Sequence, residues 1–159
     1  MSRYDWLLFL HVLSAFALVA AVVVYSFFIA GSRNLSVPSD VLRVLRVSRL
    51  AAVLSGVGSV GVLVFGIWLA IDLDQYQLWD GWIIAALVLW LVQGAVGNRS
   101  EKTYNVARDR ARALVAEGRD GPSSELKALV RTPSGLAFHL ASVGVVLLLL
   151  VDMIFKPGA

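Results

Sequence analysis

The chain of 159 residues contains no cysteine and few charges. Without a thiol it has no cysteine nucleophile, no disulfide, and no thiolate for zinc or an iron–sulfur cluster. Charged residues make up 16% of the sequence and hydrophobic residues 58%, with a mean hydropathy of +0.77. Soluble domains usually carry about 25% charged residues. The composition therefore excludes an ordinary soluble domain and indicates one integral membrane domain over residues 1–159.

Four long stretches lack Asp, Glu, Lys and Arg altogether: 6–32, 50–71, 81–98 and 132–151. A spanning helix needs roughly 17–25 mostly apolar residues, and each stretch is long enough. Backbone groups in hydrocarbon must hydrogen-bond within their own segment, which favours helices. The first stretch is also too long for the hydrophobic core of a signal peptide. We predict an all-α polytopic membrane protein with spans at about 4–30, 50–71, 81–98 and 133–155.

The basic residues predict the orientation, because Lys and Arg collect on the cytoplasmic side. Twelve of the 14 lie in the loops 31–49 and 99–132, so these loops are expected inside. The loop 72–80 has no basic residue but contains Asp72, Asp74 and Asp80, and is expected outside. The prediction is a four-helix transmembrane up-and-down bundle with both termini outside, multi-pass in a bacterial cytoplasmic (inner) membrane. The net charge of +3 is then explained by the basic residues of the two inner loops, and no nucleic-acid partner is expected.

The first inner loop predicts a short helix over 41–49, with Ser39 as its cap. Its arginines recur at a spacing of three, which predicts contact with lipid phosphates for Arg43, Arg46 and Arg49. In span two, the pair Ala52 and Gly56 has the spacing of small residues that lets a neighbouring helix approach closely.

The second inner loop predicts that the third helix continues past the membrane to Gly118. Four residues share one face of that extension: Tyr104, Ala107, Ala111 and Leu114. Ser123 or Ser124 is expected to cap a short helix, and Thr132 with Pro133 to begin span four.

Polar residues within spans are costly, so each is a candidate functional residue. His11 and His139 both have small or hydroxyl neighbours on their helix face, which predicts that they point into the bundle. Their predicted depths differ by roughly 18 Å at 1.5 Å per residue, which does not suit one haem held by both. His11 and His139 are each kept as candidate cofactor-binding residues, with His11 the candidate ligand of haem b or copper, and the alternative for each is a hydrogen-bonded interior histidine. Asp152 is expected to reach the outer interface.

A buried polar network is predicted for the inner half of the bundle. Its members are Tyr25, Ser55, Gln93 and His139.

Two segments resemble a known bacterial integral membrane family. The sequence LHVLSA over 10–15 and the sequence DMIFKPG over 152–158 are similar to the family catalogued as domain of unknown function 2269. That family is similar in outline to copper-resistance D proteins and HemJ-type protoporphyrinogen oxidases, which also open with a histidine in an LH-small context. The glycine pair that often follows this histidine in the copper-related proteins is replaced here by Ala20 and Ala21. The resemblance implies only that His11 is a characteristic residue of the family, without assigning it a role.

No Walker loop, HExxH motif or GxSxG elbow is present. The sequence therefore predicts a non-enzymatic accessory or scaffold subunit, as a homo-oligomer or in a larger membrane complex. The alternative is a membrane redox protein in which His11 binds haem b or copper. A small transporter is a third interpretation, but the spans lack paired charges and proline-broken half-helices.

Overall fold

The structure is a computed structural model and describes residues 2–73 and 76–157. Its described residues form five helices and no strand: α1 Arg3–Ser32, α2 Pro38–Asp72, α3 Gly81–Ala116, α4 Ser124–Val130 and α5 Pro133–Phe155. Helices α1, α2, α3 and the unit formed by α4 and α5 are long and apolar enough to cross a membrane. The all-α polytopic bundle predicted from the sequence is confirmed. Asp74 of the outer loop and Gly158 of the C-terminal motif lie outside the described residues.

The bundle consists of two helix pairs, with α1 packed along α2 and α3 packed along α5. Glycine allows the first pair to approach closely. A Cβ atom added at Gly58 would lie 2.7 Å from the backbone nitrogen of Leu18 and 2.9 Å from the carbonyl oxygen of Ser14. A Cβ at Gly61 would also collide with Ser14. The backbones of α1 and α2 therefore touch where α2 has no side chain.

The close contact predicted at Ala52 and Gly56 is wrong. Gly56 is exposed, and no heavy atom lies within 4 Å of the position its Cβ would take. Two residues at about 100° each separate Gly56 from Gly58, so the two glycines point to nearly opposite sides of α2. Small residues occur on both of these sides of α2, so their spacing in the sequence does not show which side faces α1.

At the end of the bundle that is predicted to face the cytoplasm, called the inner end, the helices share a hydrophobic core with α4. Leu126 of α4 and Ala111 of α3 are fully buried in it, at 0% exposure. The other core residues are Phe28, Ile29, Val41, Leu45, Tyr104, Ala107 and Val130. The predicted face of the α3 extension is buried along its whole length, from Tyr104 to Leu114. The extension ends at Ala116, and Gly118 follows with a φ of +71°.

The predicted cap of α4 is confirmed, whereas the predicted cap of α2 is wrong. The Ser123 hydroxyl accepts a hydrogen bond from the Leu126 amide at 3.2 Å. Helix α2 begins at Pro38, and the Ser39 amide donates to the Asp120 carboxylate of the other inner loop at 2.9 Å. Proline fixes the φ angle of the first helical residue. The acceptor for the Ser39 amide is the carboxylate of Asp120, 81 positions away in the sequence, and not a side chain at the start of the same helix.

The two inner loops are also joined by backbone and arginine contacts. The Ser123 amide donates to the Ser36 carbonyl at 2.9 Å. Arg131 donates to the Arg33 carbonyl at 2.9 Å and to the Asn34 side chain at 2.8 Å. The segment after α3 therefore folds back onto the segment between α1 and α2.

The outer ends are held by polar contacts among the chain termini and the outer loop. Arg3 at the start of α1 forms an ion pair with Asp72 at the end of α2. Lys156, after α5, donates to the Tyr76 hydroxyl at 2.8 Å. Its ammonium also lies 5.4 Å from the centre of the Trp82 ring. Aromatic residues are expected at this level, where a helix leaves the bilayer.

Candidate functional site: a polar cavity between the helix pairs

A cavity of about 320 Å³ lies between the two helix pairs and is lined by α1, α2, α3 and α5. Along α2 its wall runs from Leu45 to Ser59, and along α3 from Gln93 to Asn105. At 1.5 Å per residue, both walls are roughly 20 Å long. The α3 wall extends past Asn98, the predicted end of span three, so the cavity reaches from mid-span to the inner end of the bundle.

His139 lies on the α5 wall and is 5% exposed. Its Nε2 lies 2.8 Å from the hydroxyl oxygen of Ser26, and that hydroxyl also donates to the Val22 carbonyl at 2.8 Å. The Tyr25 ring lies beside the imidazole, with 5.6 Å between ring centres. Helix α1 thus fixes the position of a histidine that α5 carries.

Gln93 lies on the α3 wall and is 7% exposed. Its amide nitrogen donates to the Ser142 hydroxyl of α5 at 2.7 Å. Its carbonyl oxygen is buried and has no hydrogen-bond partner among the described residues. The hydroxyl of Ser100, which is 3% exposed, lies beside the Tyr25 hydroxyl. Within the described part of the chain, the Gln93 carbonyl oxygen is enclosed by protein atoms.

The four residues of the predicted network all line this cavity: Tyr25, Ser55, Gln93 and His139. The hydrogen bonds described above connect His139 and Gln93 to serines outside that set, and the direct links within the set remain a prediction. Ser100 and Glu101 also line the cavity, although both lie beyond the predicted end of span three. Counting back from Tyr104 along the buried face of α3 in steps of three and four reaches Ser100, Gly97 and Gln93. This spacing in the sequence would have indicated Ser100 as a lining residue.

His11 lies elsewhere, at the contact between α1 and α2. A Cβ added at Gly66 would lie 3.0 Å from its Cε1 and 3.2 Å from its Nδ1. The Nδ1 atom is buried without a partner among the described residues. His11 does not line the cavity, so the structure does not bring it together with His139.

One side of the His11 ring is closed, and its role as a ligand of haem or copper remains a prediction. Copper and haem iron need open space and usually further donors beside the imidazole nitrogen. Here the backbone of α2 at Gly66 closes the Nδ1 side of the ring. Over residues 2–73 and 76–157, no three His, Asp or Glu side chains are grouped as metal ligands.

Asp152 is buried at 7% exposure, and one carboxylate oxygen has no partner among the described residues. The side chain is therefore packed against the protein, and the expectation that it reaches the outer interface remains a prediction. It lies in an apolar groove beside Ala85 and Val88 of α3. The buried face of α5 advances in steps of three and four from Gly135 to Asp152, and so it turns gradually around the helix. His139 and Asp152 can both be buried because they face different neighbours.

Arg43, Arg46 and Arg49 are all exposed on the first turns of α2. Within the described residues, none of the three has a side-chain hydrogen bond or ion pair. Their contact with lipid phosphates remains a prediction.

Comparison with protein families matches residues 5–157 to a family described as "Predicted integral membrane protein (DUF2269)". No curated protein and no solved structure matches the chain. The match covers nearly the whole chain, including the segment 10–15 and all but the last residue of the segment 152–158. This protein therefore belongs to the DUF2269 family of predicted integral membrane proteins.

Proposed function

We propose that this protein is a non-enzymatic membrane subunit that binds a small polar molecule in the cavity between its helix pairs. The observation that carries the proposal is the cavity itself, which is lined by polar side chains from three helices, among them Tyr25 of α1, Gln93 of α3 and His139 of α5. Polar groups inside a membrane span are costly, and a polar ligand that hydrogen-bonds to the lining would offset part of that cost.

The size of the cavity supports the same conclusion. Ligand pockets usually measure about 300–1,000 Å³, and this cavity of about 320 Å³ lies at the lower end of that range. Most of its polar lining among the described residues belongs to neutral groups. The serine hydroxyl beside His139, that of Ser26, donates its proton to the Val22 carbonyl, so His139 does not act as its base. Such a lining suits recognition better than covalent chemistry.

We infer from the distribution of basic residues that the cavity and the arginines lie on the cytoplasmic side of a bacterial inner membrane. Arg43, Arg46 and Arg49 are exposed where α2 enters the bilayer and would contact phosphates of the inner leaflet. Ligand binding without chemistry is typical of an accessory subunit, whose state is read by a second copy or by another membrane protein. We propose that this chain acts in such an assembly.

Filling the cavity should remove the bound molecule while the fold remains intact. Gly56 lines the cavity and has open space over its Cβ position, so Gly56→Phe inserts a ring into the cavity without a backbone clash. Gly144→Phe is the matched control, because Gly144 also has open space but lies outside the cavity lining. Native mass spectrometry of protein released from native membranes should show a bound small molecule for the wild type and the control, and none for Gly56→Phe. A wild type without any bound molecule, or equal retention by Gly56→Phe, would contradict the proposal.

A further inference from the structure

We infer that the ligand of the cavity is the headgroup of a zwitterionic phospholipid that carries a primary amine and enters sideways from the inner leaflet. This inference rests on the proposed ligand-binding function and names the chemical class of the ligand. Two observations point to it. The cavity is open between α2 and α3, and a pair of opposite charges lies at that opening.

The opening is a gap between α2 and α3 in the inner half of the bundle. The two helices touch at mid-span, where the Trp90 indole nitrogen donates to the Ser59 carbonyl at 3.0 Å. Closer to the inner end, residues of both helices line the cavity and are nevertheless exposed: Ala52, Gly56, Gly94, Asn98 and Glu101. The lining residues of a closed cavity would be buried. The exposed ones therefore mark a gap, and a gap between two membrane-spanning helices faces lipid.

The opposite side of the cavity is closed, because α1 and α5 meet there. The Ser26 hydroxyl oxygen lies 2.8 Å from the His139 Nε2, and the Tyr25 ring lies beside the imidazole. A molecule that diffuses within the inner leaflet meets the gap between α2 and α3 directly. Its acyl chains can remain in the lipid while its headgroup lies in the cavity.

Opposite charges flank the gap at a similar depth. Counted from the contact between Ser59 and Trp90, Arg49 lies ten residues toward the inner end of α2, and Glu101 eleven residues toward the inner end of α3. At 1.5 Å per residue, these distances are roughly 15 and 17 Å. Arg49 is on the same side of α2 as Gly56, since seven residues turn a helix by about 700°, close to two full turns.

The two charges are available to a ligand. Both side chains are exposed, and neither forms a side-chain hydrogen bond or an ion pair within the described part of the chain. The predicted spans begin at residue 50 and end at residue 98, so Arg49 and Glu101 lie at the level expected for the phosphates of the inner leaflet.

A zwitterionic headgroup with a primary amine is complementary to this pair. The Arg49 guanidinium can bind the phosphate, and the Glu101 carboxylate can accept hydrogen bonds from the ammonium group. The cavity lining adds groups that donate as well as accept, among them the side-chain amides of Asn98 and Asn105. An anionic headgroup without an amine would be repelled by Glu101, and a quaternary ammonium has no proton to donate to it.

Three phospholipids with the same acyl chains separate these headgroups: phosphatidylethanolamine, phosphatidylcholine and phosphatidylglycerol. Native mass spectrometry of the delipidated protein in detergent, titrated with one lipid at a time, measures each dissociation constant. We expect phosphatidylethanolamine to bind about fivefold more tightly than either of the others, the worth of one exposed ion pair at the upper end of its usual range. Equal affinities for the three lipids would overturn the inference and leave the proposed ligand binding intact.

Two charge-removing variants assign the two ends of the headgroup. Glu101→Gln should abolish the preference for phosphatidylethanolamine over phosphatidylcholine, without weakening phosphatidylcholine. Glu117→Gln, just after α3 and outside the cavity lining, is its matched control and should keep the preference. Arg49→Gln should weaken both lipids about fivefold, because both carry the phosphate. Arg43→Gln, about 120° away around α2, should bind both as the wild type does.

A Glu101→Gln variant that keeps the preference, or an Arg49→Gln variant that binds both lipids as the wild type does, would overturn the inference. So would displacement of the lipid by an equal concentration of glycerophosphoethanolamine, the water-soluble headgroup without acyl chains, since the ligand would then be a free molecule. We expect no such displacement. The comparison of Gly56→Phe with Gly144→Phe decides the proposed function separately, since it requires only that some molecule is bound.

Discussion

Gly58→Leu is expected to disrupt the contact between α1 and α2 and to lower the unfolding temperature of the protein in detergent markedly. An added Cβ would lie 2.7 Å from the Leu18 nitrogen and 2.9 Å from the Ser14 carbonyl, both of them backbone atoms that a side-chain rotation cannot move. Inserting extra methylene groups into a packed contact typically costs 1–3 kcal/mol, and this rigid contact should reach about 3 kcal/mol or more. Thermal unfolding in a mild detergent, followed by circular dichroism or size-exclusion chromatography, measures the loss.

Gly56→Leu is the matched control, two residues away on the same helix. Open space lies over its Cβ position, so its unfolding temperature should stay close to that of the wild type. Equal losses in the two variants would show that the close contact is not at Gly58. A stable Gly58→Leu variant would show that α1 and α2 do not touch there.

Leu126→Ala is expected to destabilise the inner end of the bundle by about 2–5 kcal/mol. Leu126 is fully buried, at 0% exposure, in a core that joins α4 to α1, α2 and α3. Truncation leaves a cavity among residues such as Val41 and Ala111, whose positions are held by three long helices. The loop over 117–132 should then become a preferred site of limited proteolysis, and the unfolding temperature should fall.

Leu140→Ala provides the same chemical change at a different site. Leu140 lies on α5 and is 59% exposed on the outer surface of the bundle, so its truncation leaves no internal cavity. Its unfolding temperature and proteolysis pattern should match those of the wild type. If Leu126→Ala behaved like Leu140→Ala, α4 would not be part of the core.

The spans could be predicted from the sequence because charge is excluded from hydrocarbon wherever a helix crosses it. The face from Tyr104 to Leu114 could also be predicted, since a helix at a water interface must separate apolar from polar residues. Span two is apolar on every side, so its pattern does not say which glycine faces a neighbour. The sequence therefore could not show that Gly58, and not Gly56, is the residue that contacts α1.

Parts of the cavity depend on distant residues and could not be predicted in detail. The Ser26 hydroxyl meets His139 across 113 positions of the sequence, and the Gln93 amide meets Ser142 across 49. Each residue was recognisable as a costly polar group in a span. Its partner is set by how the two helix pairs pack, which the order of residues along one helix does not reveal.

Cysteine accessibility tests most directly whether the cavity is open to the cytoplasm. The chain has no cysteine, so one introduced thiol reports a single site. Ser55 lines the cavity, whereas Val60 is 60% exposed on the bundle surface, where lipid would cover it. A membrane-impermeant maleimide should label Ser55→Cys in inside-out vesicles and not in intact spheroplasts, and should label Val60→Cys in neither. Labelling of Ser55→Cys from the outside, or none from either side, would contradict a polar cavity that opens to the cytoplasm.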